Sequence, residues 1–390
     1  MARAIQDSLF TYGVKKTAPQ KHFGLAATEP VLLFLAVLLI SFSLVMVYST
    51  TGVVAQEKFG DPYFYVKRQA ISALLGFFFL FVLSRIPMER IQKVTPYLYV
   101  TCLSLLLITY LPGIGDRAGG AQRWINLGII RFQPGEFVKL TFIVYLAGYL
   151  ARHEESLSGF VTGILKPFML VGGVCALFLK QPDFGSSAIL CLITLVMIGT
   201  SGAKIKHLAL MGLSFLIPAI FLILFSPYRM KRVTSFLQPW ADASGSGYQL
   251  IQSLIAVGSG KLTGVGLGES QQKLFFLPAA HTDFIFAVVG EELGLIGCML
   301  LLSVFLAFLA RGIYLAGKVA TDTFAFSLTL GLTLLVVMPA MLNAGVVTGM
   351  LPTKGMVLPL VGYGGSSIMA TLSGIGIILS IVRWRKKQFS

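Results

Sequence analysis

About ten apolar runs, each near the length of a bilayer crossing, occupy this 390-residue sequence between residues 31 and 384. A spanning helix needs roughly 20 mostly apolar residues. The segments that meet or approach this are 31–49, 68–86, 95–112, 136–152, 167–180, 185–200, 205–226, 284–312, 324–347 and 366–384. The fifth and sixth are short and flank Pro182 and Gly185. Peptide groups in lipid have no water to bond, so these runs must be helices. They are too long for barrel strands and lack period-2 alternation. The expected fold class is therefore an all-α polytopic membrane protein with about ten transmembrane helices. Only 12% of residues are Asp, Glu, Lys or Arg, against about 25% in soluble domains. The +15 net charge is scattered along the chain, so no basic face for nucleic acid is expected.

Ten crossings put both termini on one side. With the termini inside, 17 Lys and Arg residues fall in inner segments and 8 in the short outer ones. Charge in the long outer loop 227–283, between spans seven and eight, counts little for orientation. The expected organisation is a cytoplasmic tail at 1–30, one transmembrane domain at 31–384 and a cytoplasmic tail at 385–390. About thirty residues precede the first span and no clear cleavage site follows it, unlike a signal peptide. Cys102, Cys175, Cys191 and Cys298 lie in apolar runs without zinc or redox spacing, which reads as buried small hydrophobes. No internal repeat is visible.

Polar residues collect in the outer loops 114–135, 181–184, 227–283 and 348–365. No Gly-rich phosphate loop opens a helix. Outside a bacterial plasma membrane there is no ATP pool, so a reaction there needs an activated substrate. Most of the 16 acidic residues, Glu29 among them, read as solvated or interfacial. Glu136, Asp183, Asp283, Glu291 and Glu292 lie at span ends or inside spans, where a charge needs a partner or a wet cavity. Glu136 and Lys139 are spaced i,i+3 after Pro134 and share a helical face. They fit a helix-start ion pair or a catalytic pair. Asp283, in His281-Thr282-Asp283-Phe284-Ile285-Phe286, fits a helix N-cap or a desolvated general base. His281 stands close enough to orient it, or is a bystander. Asp183 fits a cap for the sixth span or a holder for a cation. Glu291 or Glu292 reads as a partner for another helix. Arg117, Arg123, Arg131, Arg229, Lys231 and Arg232 suit phosphate oxygens or anionic lipid. Residues 248–257 read as an interfacial helix. The glycines from Gly258 to Gly268 read as a flexible loop able to close over a lipid-borne substrate.

The segment Asn343 to Ser367, NAGVVTGMLPTKGMVLPLVGYGGSS, resembles the signature of the SEDS family (shape, elongation, division, sporulation), which includes FtsW and RodA. Arg123-Trp124-Ile125-Asn126-Leu127-Gly128, Gln133 to Lys139, Gln181-Pro182-Asp183 and HTDFIF at 281–286 extend the resemblance over roughly 30–385. Gly362 is a departure, since the family usually has Ser or Ala there. Gly266-Leu267-Gly268, Gln272-Lys273-Leu274 and Pro352-Thr353-Lys354-Gly355 look more like FtsW than RodA. The resemblance implies an inverting peptidoglycan glycosyltransferase that polymerises lipid II at the outer face of the bacterial plasma membrane, at the division septum. It makes Asp283 catalytic and places Glu136, Lys139 and Asp183 in the central cavity. Arg123, His281, Lys354, Ser366 and Ser367 complete the expected substrate-binding set. The implied partners are a class B penicillin-binding protein of FtsI type and single-span divisome proteins. A divalent cation such as Mg²⁺ is compatible with a diphosphate substrate, but no carboxylate cluster demands a metal. The rival readings are a RodA-type elongation polymerase, a lipid II flippase and a non-catalytic scaffold. A flippase would favour midplane charges, broken helices and repeated halves.

Overall fold

The computed structural model describes residues 29–389 except 112–114, 119–120, 127–130, 275 and 354, with backbone only at 116–118, 121, 122, 126, 131, 228 and 386–389. The expected tail at 1–30 lies almost wholly outside these residues, and so do the side chains of Arg117 and Arg131. The long helices in chain order are α1 Pro30–Phe59, α2 Phe64–Leu83, α3 Met88–Ile108, α4 Pro134–Arg152, α5 Lys166–Lys180, α6 Phe184–Thr200 and α7 Ile205–Leu224. Then come α8 Pro227–Leu237, α9 Tyr248–Ser259, α10 Ile285–Lys318, α11 Thr323–Val347 and α12 Gly365–Phe389. Among the described residues, eight helices are long and apolar enough to cross a membrane. The chain is thus a polytopic membrane protein. Helix α6 is shorter than that measure, and α4 falls outside the eight because Glu136, Lys139 and Arg152 interrupt its apolar run.

Two elements depart from expectation. The loop 114–135 carries a small antiparallel sheet, β1 Gly115–Ala118, β2 Ala121–Asn126 and β3 Arg131–Phe132, in the order β1-β2-β3. The fifth apolar helix starts earlier than 167, because a π-helical turn at Val161–Leu165 leads into α5. Lys166-Pro167 looks like a helix start, but Pro167 falls at N1 or N2 of α5, where its missing N–H costs least.

Helices α4, α11 and α12 form the centre, with Phe142, Leu146, Leu328, Leu372 and Ile378 buried. Helix α7 is peripheral, and Met211 is its only buried residue. Two charged contacts register α10 against α1. Arg311 Nη2 lies 2.7 Å from Glu29 Oε2, and Ser49 Oγ donates to Glu292 Oε1 at 2.6 Å. At 1.5 Å rise per residue these contacts are about 30 Å apart along α1. Glu29 is therefore a buried ion-pair partner and not solvated, because the end of α10 covers it.

Helix α10 is broken at Gly294, whose φ is 67° and ψ −165°. The last carbonyls before the break accept from the glycine loop: Val265 N to Glu291 O at 2.9 Å and Gly266 N to Glu292 O at 3.1 Å. The first N–H groups after it donate to the same loop, Leu295 to Lys261 O at 2.9 Å and Ile296 to Leu262 O at 3.1 Å. A Cβ on Gly264 would lie 2.1 Å from Glu292 O, and one on Gly294 would lie 2.4 Å from Gly264 N. The expected flexible loop is thus packed backbone to backbone in this part, because a helix break beside lipid needs its peptide groups paired. Helix α9 also packs inward. Leu250, Ile251 and Ala256 are buried, and Ser253 Oγ donates to Val347 O at 2.8 Å. Cys175 and Cys191 bring their sulfurs within 3.6 Å across α5 and α6, a pairing hidden by their spacing in the sequence.

Gly294→Ala should lower the thermal unfolding midpoint of the detergent-solubilised protein. This backbone conformation, positive φ with ψ near 180°, costs an L residue roughly 1–3 kcal/mol, and the crowded Cβ adds to this. A midpoint equal to the parent's would contradict the close packing of the break.

Candidate functional site

The site is built where α4, α6, α11 and α12 meet the polar loops. A small cavity open to the surface lies there. Arg123, Glu136, Lys139, Asp183 and Ser367 line it together with Gly355. Five of the nine expected site residues, from four separate stretches of sequence, therefore face one space. Its inner wall is apolar, with Ile189, Leu335 and Pro339.

Each polar group is held by local chemistry. Pro134 opens α4 and Glu136 falls in its first turn, where the helix dipole favours an anion. Lys139 Nζ then bonds Glu136 Oε1 at 2.7 Å. Asp183 caps α6, accepting from Ser186 N at 3.0 Å and from the Ser186 hydroxyl at 2.8 Å. Arg123 is pinned by carbonyls of the Gln181-Pro182-Asp183 turn, with Nε on Gln181 O at 2.8 Å and Nη2 on Pro182 O at 2.6 Å. The ion-pair and capping readings of these residues hold, and the same residues still present charge to the cavity.

Asp283 is not one of the residues that line the cavity; it lies behind Gly355, which is. A Cβ on Gly355 would lie 2.9 Å from Asp283 Oδ2. The residue that caps α10 is Phe284, without a side-chain cap bond, so the N-cap reading of Asp283 does not hold. Its backbone carbonyl is fixed by Asn343 Nδ2 at 2.7 Å, and the same amide nitrogen donates to Met356 O at 2.8 Å. Burial pushes the Asp283 carboxyl up to about 6. The Arg123 and Arg232 cations pull it down, and the Asp183 carboxylate pushes it up.

The other expected residues are placed differently. His281 is absent from the cavity lining; its ring centroid lies 5.6 Å from that of Tyr65 and 5.8 Å from that of Tyr363. Burial and the Lys58 charge lower its pKa, which favours a neutral ring. Ser366 is buried and accepts from Gln133 N at 2.9 Å, so it supports the start of α4 and does not face the cavity. Lys354 lies outside the described residues. Sequence reasoning passed over Asn343 and Gly355 as site residues. Asn343 carried a usable signal, an amide inside an apolar run. Gly362 packs closely, since a Cβ there would lie 2.7 Å from Val357 Cγ1 and 2.8 Å from Thr282 O. The family's usual Ser or Ala at this position would need more room than this packing leaves.

Known proteins resemble this chain in sequence and in fold. The family model for cell cycle proteins of the FtsW, RodA and SpoVE group matches residues 30–387. A protein of Geobacter sp. (strain M18) named "Probable peptidoglycan glycosyltransferase FtsW" is 42% identical over 90% of this chain and 96% of its own length. Stage V sporulation protein E of Bacillus subtilis (strain 168) is 38% identical over 95% of this chain and 99% of its own. Among solved structures, a chain from work on polymerization and crosslinking by a peptidoglycan synthase complex matches with a TM-score of 0.74. It is 29% identical, and the match covers 92% of this chain and 98% of that one. The rod shape determining protein RodA of Thermus thermophilus matches with a TM-score of 0.67 at 27% identity, covering 93% and 98% of the two chains. On its sequence, its motifs and its fold, this chain belongs to the SEDS family, the FtsW, RodA and SpoVE group of cell cycle proteins.

Proposed function

We propose that the chain is a peptidoglycan glycosyltransferase that polymerises lipid II at the outer face of the bacterial plasma membrane. The observation that carries this is the placing of the Asp283 carboxylate behind Gly355, in the wall of a cavity that Arg123 and Lys139 also line; burial there pushes the carboxyl up to about 6. A base of that pKa is mostly ionised at pH 7 yet basic enough to accept a hydroxyl proton. Asp283 takes the proton of the GlcNAc 4-hydroxyl of one lipid II. The freed oxygen bonds the MurNAc anomeric carbon of the growing strand. The bond from that carbon to the lipid diphosphate breaks, its electron pair leaves with the diphosphate, and configuration inverts. The leaving group needs charge neutralisation more than a proton. Arg123, Lys139 and Arg232 supply it.

No group of three or more His, Cys, Asp or Glu able to hold a metal occurs among the described residues. Glu136 is engaged by Lys139 and Asp183 by Ser186. A divalent cation would therefore enter on the diphosphate oxygens, and no step here depends on it. The ten apolar helices are taken as ten crossings with both termini cytoplasmic and residues 227–283 outside. The FtsW-named relatives support a septal role in cell division, with a class B penicillin-binding protein of FtsI type as partner; RodA-type elongation is the alternative within the family. The broken α10 is the feature that favours a flippase. However, loop 261–266 fills the break with backbone hydrogen bonds and Glu292 Oε1 is paired with Lys273.

Three outcomes are expected with the purified full-length protein, its cognate transpeptidase and labelled lipid II. Asp283→Asn slows strand synthesis by roughly 100-fold or more, the usual contribution of a general base. Full polymerisation by that variant removes Asp283 as the base, and lipid movement across the bilayer without polymer favours the flippase. Activity falls as pH drops through about 6, because the base must be ionised; an acid limb near pH 4 would contradict the burial. Gly355→Ala, measured in the same assay, lowers the rate at least tenfold, a loss of about 1.4 kcal/mol of transition-state stabilisation, while the unfolding midpoint stays near the parent's.

A further inference from the structure

Away from the cavity, the described residues hold a second polar cluster. Lys273 Nζ lies 2.9 Å from Glu292 Oε1 and 3.1 Å from Ser49 Oγ, and it donates to Gly268 O at 2.5 Å. Ser49 also donates to Glu292 Oε1 at 2.6 Å. The adjacent Glu291 accepts from the Ser270 hydroxyl and from Gln271 N at 3.0 Å. The Glu292 side chain is fully buried and Lys273 nearly so. None of these residues lines the cavity.

Their positions in the chain give the cluster its meaning. Lys273 is ten residues before Asp283, and Glu292 is nine residues after it. The ion pair thus closes the base of a segment whose middle carries the carboxylate. Ser49 ties that base to α1, which Glu29 and Arg311 fix at its other end. Two bonds hold the upper part of the segment, from Asn343 to Asp283 O and from Tyr363 N to His281 O. A buried ion pair is weak evidence for stability, since apolar packing often serves as well. Here Glu292 Oε2 has no hydrogen-bond partner among the described residues, so the cluster is not optimised for stability alone.

We infer that Lys273 and Glu292 are positioning residues that clasp the ends of the segment 273–292 and so hold Asp283 behind the cavity-lining Gly355. This rests on the proposed glycosyltransferase reading. Opening the clasp lets the segment shift and water reach the carboxylate. The charged groups that act on Asp283 are Arg123 from β2, Arg232 from α8 and Asp183 at the start of α6. With these unchanged, loss of desolvation lowers the pKa of Asp283.

The test uses the full-length chain with its transpeptidase and lipid II. The double variant K273M/E292Q removes both charges and leaves neither one buried alone. Its kcat should fall at least tenfold with KM within twofold, and the acid limb of kcat should move to lower pH. Hydrogen exchange of the 279–284 amides should speed up. A kcat within twofold of the parent and an unmoved acid limb would overturn the clasp and leave the glycosyltransferase reading intact. If the parent makes no strands, that reading falls and the clasp is judged by exchange alone, where unchanged protection at 279–284 overturns it. Should the double variant fail to fold, Ser49→Ala decides in its place. A threefold or larger loss of kcat supports the clasp, and a parent-like kcat ends it.

Discussion

In lipid a peptide group has no water to turn to, and each N–H and C=O must find a partner within the protein. That constraint makes the apolar runs helices. It also governs the place where a helix stops. At Gly294 the ladder of α10 is interrupted, and loop 261–266 supplies two N–H donors and two carbonyl acceptors to the freed groups. The glycines are needed because two backbones approach closely enough to exclude a Cβ. The break leaves a short helical stretch, 285–293, ahead of the main run of α10. Asp283 sits just before that stretch, behind the cavity-lining Gly355.

Charge follows the same logic. Glu29 with Arg311, Glu136 with Lys139 and Lys273 with Glu292 are each paired at 2.7 to 2.9 Å, as poorly solvated charges must be. Asp283 is set up differently. Burial raises its pKa by more than Arg123 and Arg232 lower it. The result is a carboxylate that ionises close to neutrality, which suits proton transfer better than a firmly paired one.

The sequence made much of the site legible, for a physical reason. Caps, helix starts and i,i+3 pairs are local, so Glu136, Lys139 and Asp183 declare themselves through their neighbours in the chain. Tertiary roles do not. Ser366 and Ser367 are adjacent and look alike in sequence; one bonds Gln133 N and the other faces the cavity. His281 is two residues from Asp283, yet its ring packs against those of Tyr65 and Tyr363. Glu29 reads as solvated from its place before the first span, yet Arg311 near the end of α10 pairs with it and buries it. The strands of the small sheet within 115–132 are two to six residues long, too short to show a period in sequence.

By itself the sequence determined that this chain is a helical membrane protein of the SEDS family, with its unusual polar groups gathered in and beside the segments that join the apolar runs. Hydrophobic length and motif spacing are enough for that, because both are properties of contiguous residues. Only the tertiary structure decided which polar residues share one cavity, that the glycine loop fills a helix break, and that Lys273 meets Glu292 with Ser49 bonded to both. Those facts depend on contacts between segments up to 243 residues apart, and side-chain packing fixes such contacts only once the bundle has formed.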